Sequence, residues 1–281
     1  MNREMLRDQR VAAVQMASGP RVDANLQEVR RLTAMAVEQG ASLVVLPENV
    51  ALMGMKETDK LAHREHPGKG PMQDFFAEVA AHHGIWIVAG TIPLFGPEEN
   101  RARQSCLLFD DRGRQVARYD KIHLFDVEVE GDTTYRESAS LAPGDRVVVV
   151  DTPFGRLGLS VCYDLRFPEL YRIMADQGVE LIVAPSAFTA KTGEAHWSTL
   201  LRARAIENLS YVVAAAQGGY HVNGRDTHGH SMIVDPWGQV LDELPRGSGV
   251  VVADLDLERL RRVRERFPAL AHRRFRCHGG R

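Results

Sequence analysis

This sequence predicts an α/β fold with helices packed outside mixed sheets, and three observations carry that reading. Strand-like and helix-like hydrophobic periods alternate along most of the chain, two pairs of strand-like runs are joined by turns short enough for hairpins, and no Pro/Gly/Ser-rich linker or repeat divides the 281 residues. A single domain over 1–281 is therefore expected, with a core of about 10–256 and a C-terminal helix and tail over 257–281. With 44% apolar residues, a chain of this length is able to bury a sizeable core.

Arg10–Met16 (RVAAVQM) is a short β-type run, after which Val22, Leu26, Val29, Leu32 and Met35 recur at helical spacing. Ser42–Leu46 (SLVVL) is almost continuously apolar, as in a strand covered on both faces, and it stops at Pro47-Glu48. A second helix is predicted over Pro71–His83, because proline fits a first turn and Gly84 a stop. Ile85–Ile92 is a further strand. Between Gln104 and Asp120, two β-type runs flank Asp110-Asp111-Arg112-Gly113, a hairpin that makes the sheet mixed. A second hairpin joins Val147–Val150 to Leu157–Val161 through Pro153-Phe154-Gly155. The chain then passes through Cys162-Tyr163-Asp164 into a helix near Pro168–Gln177.

Alternation resumes with strand Leu181–Ala184, helix His196–Asn208 and strand Tyr211–Ala215. Strands His230–Val234 and Gly249–Leu255 follow, with a turn at Asp235-Pro236-Trp237-Gly238 between them. Leu257–Arg276 reads as a solvated, arginine-rich helix and tail. Phe188–Glu194 and Gly219–Thr227 are read as loops whose conformations set pocket size.

A formal net charge of −2 gives no global attraction to nucleic acid or to an anionic membrane, since either needs clustered Lys and Arg. Small-molecule chemistry is the class that remains. Met1–Arg10 is charged and lacks the apolar core of a signal peptide, and no apolar run approaches a membrane span, so a cytoplasmic location is expected. Cys106, Cys162 and Cys277 are odd in number and widely spaced, which suits neither a disulfide framework nor a CxxC metal site.

Cys162 lies where a buried strand turns toward a helix, a junction that exposes a side chain near helix N-terminal amides. Such a place is expected to lower a thiol pKa and to bind an oxyanion. A small buried core residue is the competing reading of a lone cysteine. Glu48 directly follows LVVLP and Lys121 directly follows VARYD, the same kind of strand-end position, where α/β sheets place ligand sites. Each alone is equally a solvated surface charge.

Three motifs, PEN at 47–49, YDKIHLFD at 119–126 and VCYDLRFPEL at 161–170, resemble the glutamate, lysine and cysteine motifs of the carbon-nitrogen hydrolase (nitrilase) superfamily. They stand in the family's order over roughly Val11–Asp256. The resemblance implies a four-layer αββα sandwich, dimerisation through helices near the active site or a higher homo-oligomer, and no metal or organic cofactor. It implies Glu48 as general base, Cys162 as nucleophile, and Lys121 with the Tyr163 N–H as oxyanion donors. Glu137, in YRES, matches the family's second glutamate and is expected to hold Lys121.

Within the superfamily, HWSTLLRARAIENLSYVVAAAQGG and GHSMIVDPWG resemble the amidases of deaminated glutathione, while LFDVEVEG and YRES are shared with the omega-amidases. The implied activity is hydrolysis of small linear amides to carboxylate plus ammonia through a cysteine thioester. Deaminated glutathione is the first substrate, with monoamides of α-keto acids or dicarboxylates second. N-carbamoyl amino acids are a further alternative, and a catalytically idle dimeric scaffold is the alternative outside enzymes. Arg166 and Arg202 are candidates to grip a substrate carboxylate, each with an ordinary ion pair as competing role. His196 and Trp197 are expected to border the pocket, or simply to begin an amphipathic helix.

His221, His228 and His230 are set aside as metal ligands for want of a fourth donor, and His123 is expected to support its loop. Cys106 reads as core and Cys277 as tail. Asn208-Leu209-Ser210 is expected to stay unglycosylated.

Overall fold

The alternation of side chains along a strand decides which core each residue joins. In β1 (Arg10–Gln15), Val11 and Ala13 pack toward one core and Ala12 and Val14 toward another. The split repeats in β2 (Leu43–Val45), where Leu43 and Val45 part from Val44, and in β3 (Trp86–Phe95), where Val88 parts from Ile87 and Ala89. Strands apolar on both faces need cover on both sides, and the structure supplies it as four layers.

The molecule is seen here as a computed structural model that describes residues 9–128 and 133–277. The expectation about a leader in Met1–Arg10 and the end of LFDVEVEG, Val129–Gly131, therefore fall wholly or largely outside the described residues. The first sheet adds β4 (Ala102–Phe109), β5 (Gln115–Asp120) and β16 (Gly249–Asp254), in the order β16-β1-β2-β3-β4-β5. Its centre, β1 to β3, is parallel, and β16, β4 and β5 run antiparallel to their neighbours. Its outer face is covered by α1 (Val22–Glu38) through Val29, Leu32 and Ala36, and by α3 (Pro71–His83) through Phe76, Val79 and Ala80. A short helix, α2 (Asp59–Ala62), precedes α3.

The second sheet repeats the plan. It holds β8 (Val148–Thr152), β9 (Gly155–Leu159), β10 (Leu181–Val183), β11 (Tyr211–Ala214), β14 (Ser231–Val234) and β15 (Val240–Leu244), in the order β15-β14-β11-β10-β9-β8. Strands β9 to β11 are parallel. Helices α4 (Pro168–Asp176) and α5 (Ala190–Asn208) belong to this half, burying Leu170, Tyr171, Met174, Trp197, Leu201 and Ala205. The inner faces of the two sheets meet in one continuous core. The αββα sandwich is thus as predicted.

Four features differ from the sequence reading. Helix α5 begins at Ala190 rather than His196, so most of the expected loop Phe188–Glu194 is its first turn, capped by the Thr189 hydroxyl accepting from the Thr192 N–H. Gly193 interrupts the helical pattern in sequence, yet it sits in the helix because His228 packs where its side chain would be, 2.3 Å from an added Cβ. Strand β15 alternates half-buried Val240, Asp242 and Leu244 with exposed Leu241 and Glu243, and the adjacent Asp242 and Glu243 leave it without an apolar run. The ribbons β6 (Asp126–Glu128) with β7 (Thr134–Arg136) and β12 (Gly218–Tyr220) with β13 (Asp226–His228) are too short to show a period, and the latter occupies much of the expected loop Gly219–Thr227. Finally, α6 (Leu257–Arg266) is docked rather than merely solvated: Leu257 and Leu260 are buried, and Arg264 donates to the carbonyls of Val179 and Leu209. Among the described residues no helix is long and apolar enough to cross a membrane.

One glycine sets where the first sheet ends. A Cβ on Gly90 would lie 1.8 Å from the Pro47 carbonyl oxygen and 2.4 Å from that of Leu46, both backbone atoms that have no rotamer to yield. Gly90→Ala is therefore expected to cost about 3 kcal/mol or more and to displace the segment leading into Glu48. Urea denaturation checks this; a midpoint unchanged from the native protein would refute the close approach.

Candidate active site

Each strand-end residue picked out by sequence arrives at the same cleft. After β2 the chain runs through Leu46 and Pro47 to Glu48, and Asn49 then takes a left-handed φ of +58°. Lys121 directly follows β5, and Glu137 opens a single 3-10 turn after β7. Cys162 opens a 3-10 turn of five residues, Cys162–Arg166, three residues beyond the end of β9. Its φ is +47°, a sparsely populated conformation for a side chain with a Cβ, and its N–H is fixed on the Pro185 carbonyl at 2.9 Å. The α-helix α4 begins at Pro168, where the sequence placed it, and the short 3-10 turn stands between it and the cysteine.

The Lys121 ammonium bridges two carboxylates, with Nζ 2.8 Å from Glu48 Oε1 and 2.8 Å from Glu137 Oε2. The Cys162 thiol lies beside Glu48 and Lys121 on the same cavity wall, close enough for both charges to act on it. All four side chains are buried, with relative exposures of 1–7%, so each charge depends on its partners. Burial opposes the charge on Lys121, but the Glu137 and Glu48 carboxylates hold its pKa well above the usual lysine value. Burial likewise pushes Glu137 up, yet Lys121 and Lys60 outweigh it and hold the carboxyl below its ordinary range, with the Phe125 N–H also donating to Oε2 at 2.9 Å.

Cys162 goes the other way from the sequence expectation. Burial, and then the neighbouring Glu48 carboxylate, push its thiol pKa well up, with Lys121 acting in the opposite direction. The resting group is a protonated thiol beside the Glu48 carboxylate. The arrangement suits deprotonation at the moment of attack rather than a standing thiolate.

Asp164, which the sequence reading left without a role, organises the cysteine turn. It accepts from the Val161 N–H at 2.8 Å and from the Tyr119 hydroxyl at 2.7 Å, and it pairs with His123 Nδ1 at 2.7 Å. His123, stacked on Phe167 with ring centroids 3.7 Å apart, is the loop support that was expected. Gln217 was also missed; its side-chain amide donates to the Glu48 carbonyl at 2.8 Å and fixes the backbone beneath the carboxylate.

Above the charged floor lies a cavity with about 500 Å³ of space between its walls, the solvent at its mouth included. Phe125, Tyr135, Tyr163 and Phe188 wall it, and Arg166 and Arg225 reach into it. Tyr163 and Arg166 therefore stand where the sequence placed them. His196 does not line the cavity: it is exposed and holds Arg166, Nδ1 accepting from Nη1 at 3.1 Å. Arg202 is turned away and donates to the Gly238 carbonyl at 2.8 Å. Trp197, the other candidate border, is a buried residue donating to the His230 carbonyl at 2.7 Å. Among the described residues no group of His, Cys, Asp and Glu is arranged to hold a metal ion; His221 is engaged by Ser18 and Thr227, and His228 stacks on His230.

A four-layer sandwich whose strand ends bring a thiol, a carboxylate and an ammonium together is the architecture of a carbon-nitrogen hydrolase, and the chain belongs to that family, matching it over residues 10–265. A deaminated glutathione amidase of Synechocystis sp. (strain PCC 6803 / GT-S) is 45% identical over 267 residues, covering 94% of this chain and 97% of that protein. Among solved structures, Saccharomyces cerevisiae Nit3, a member of branch 10 of the nitrilase superfamily, matches with a TM-score of 0.86 at 31% identity, over 96% of this chain and 98% of that one. The amidase of Nesterenkonia sp. AN1 matches with a TM-score of 0.76 at 30% identity, over 92% and 98%, and in that structure acrylamide has added at the active site cysteine.

Proposed function

We propose that this carbon-nitrogen hydrolase cleaves deaminated glutathione through a thioester on Cys162. The observation that carries the mechanism is the buried Cys162 thiol set beside Glu48, whose carboxylate shares Lys121 with Glu137. Glu48 takes the thiol proton as the sulfur attacks the amide carbon. Two of the three ammonium protons of Lys121 are committed to Glu48 and Glu137, which leaves the third for the oxyanion. The Tyr163 N–H is the second donor. The first bond back within the cysteine turn is made by the Asp164 N–H to the Val161 carbonyl, one residue later, so the amide of Tyr163 is left for a ligand.

Collapse of the tetrahedral intermediate breaks the C–N bond, and Glu48 returns the proton to the leaving nitrogen. Glu48 then deprotonates the water that attacks the thioester, and that proton ends on the departing sulfur. The scheme draws on no metal or organic cofactor. From a primary amide the leaving group is ammonia; deaminated glutathione carries substituted amides, so from it an amine leaves.

Arg166 supports an anionic substrate. Its guanidinium lies over the rings of Phe188 and Tyr163 and bonds to His196, and among the described residues no carboxylate pairs with it. A cation with that freedom at the cavity wall suits an acid group on the acyl half of the substrate. His196 then acts through Arg166 by positioning it.

A working free thiol fits a reducing compartment, so we place the protein in the cytoplasm. Assembly into a homodimer or larger homo-oligomer is supported by Ile206, Trp237 and Phe267, large apolar side chains that are 47–59% exposed on one face, with Trp237 edge-on to Phe267.

The test is to incubate the protein with deaminated glutathione, follow both products by chromatography, and quench with acid during turnover for peptide mass mapping. Amine and acid should appear in equal amounts, with the acyl mass on the peptide containing Cys162. Hydrolysis confined to other amides would reject the substrate, and an acyl group on a different residue would reject the mechanism.

A further inference from the structure

The cavity over Cys162 adjoins a second, outer one. It shares Tyr135, Arg225 and Asp226 with this outer chamber, which holds about 1010 Å³ of space, solvent at its mouth included. Arg225 forms the throat between the two, its guanidinium 5.0 Å from the Tyr135 ring centroid and hydrogen-bonded to Glu57. Among the described residues, the chamber is lined by the cations Lys56, Arg136, Lys191 and Arg225 and by two carboxylates, Glu57 and Asp226.

Both carboxylates are already engaged. Glu57 is shared between Arg225 and Lys60, which hold it down to about 2 with burial acting against them, and Asp226 pairs with Arg246 at 3.1 Å. Among the described residues, the side chains of Lys56, Arg136 and Lys191 pair with no carboxylate. Unpaired positive charge is thus concentrated on the way out of the reaction centre, although the protein as a whole carries a net charge of −2.

We infer that this outer chamber is a second anion subsite, which receives a carboxylate at the far end of the substrate's amine half. The inference rests on the function proposed above and extends it. Whichever amide of deaminated glutathione is cut, the amine fragment ends in the carboxylate of glycine. With the acyl half held toward Arg166, the amine half points through the Arg225 throat, and its terminal charge arrives among Lys56, Arg136 and Lys191. The substrate class this defines is an amide with one anion on each side of the scissile bond.

The chamber is tested by comparing deaminated glutathione with its glycinamide form, in which only the terminal carboxylate is neutralised. The expected result is a KM about tenfold higher for the glycinamide form with kcat little changed, a ratio that shrinks as salt is raised. In the double variant Lys56→Glu/Lys191→Glu, both at exposed positions, the ratio should fall to one or invert. Equal KM values for the two forms in the native protein would overturn the subsite and leave the proposed function standing. A ratio kept at about tenfold in the variant would also overturn it. Hydrolysis of neither form would reject the proposed function, and the subsite with it.

Discussion

Cys162→Ala is expected to lower turnover by roughly 10⁴-fold or more while moving the unfolding midpoint by no more than a few degrees. Among the described residues the sulfur is the one thiol lining the cavity, and what remains after its removal is Glu48, Lys121, the Tyr163 amide and the walls, which bind and move protons but do not form the thioester. The backbone at φ +47° already carries a Cβ, so alanine adds no strain there. The loss to folding is the packing of one small buried group, a change of about 1 kcal/mol. The two readouts belong together: turnover within tenfold of the native rate, at a matching unfolding midpoint, would remove Cys162 from the chemistry.

Lys121→Ala is expected to cost both activity and stability. Removing the ammonium leaves Glu48 and Glu137 buried without the cation they share, which breaks a buried ion network at about 3–5 kcal/mol. It also deletes an oxyanion donor, for a rate loss of about 10² to 10³ from that source alone. The stability defect has a pH signature. In the native protein Glu137 is held low, so its contribution is present above the unfolded carboxyl value and lost as pH falls through the lower folded one. Without Lys121, burial dominates at Glu137 and raises it. A raised carboxyl favours folding below its unfolded value and loses that advantage as pH rises. Urea denaturation at pH 7 and pH 5 should therefore show the gap between variant and native protein narrowing at the lower pH. An equal gap at both would mean that the uncompensated carboxylate is not the cause.

Sequence carried the layers because their periods are local, and the four converging residues through motifs that resemble those of the family. Helix α3 has the predicted bounds, since Pro71 supplies a first turn without a lost donor and Gly84 takes the left-handed stop at φ +63°. Glu48, Lys121 and Cys162 each follow a strand, which is legible locally, but they hang from two different sheets, so their meeting depends on how the sheets dock. His196 and Arg202 failed for one reason. The start of α5 was placed too late, and the phase of a helix decides which side chains face the cavity; its buried face is Gly193, Trp197, Leu201 and Arg204. Arg225 was not seen because a charged residue in a Gly/Asn-rich stretch has no period, and its place at the throat depends on Glu57 and Tyr135 from distant parts of the chain. The direction of the Cys162 shift was also missed, because position along a chain does not reveal depth of burial.

The site is divided between the sheets: Glu48 and Lys121 hang from the first, and Cys162 hangs from the second. A molecule with one sheet formed and the other still unravelled holds a base without a nucleophile, or a nucleophile without a base, and is chemically silent. The return of turnover during refolding is accordingly a clock for the docking of the two sheets. That event closes the long-range core between them and is set by topology rather than by local helix formation.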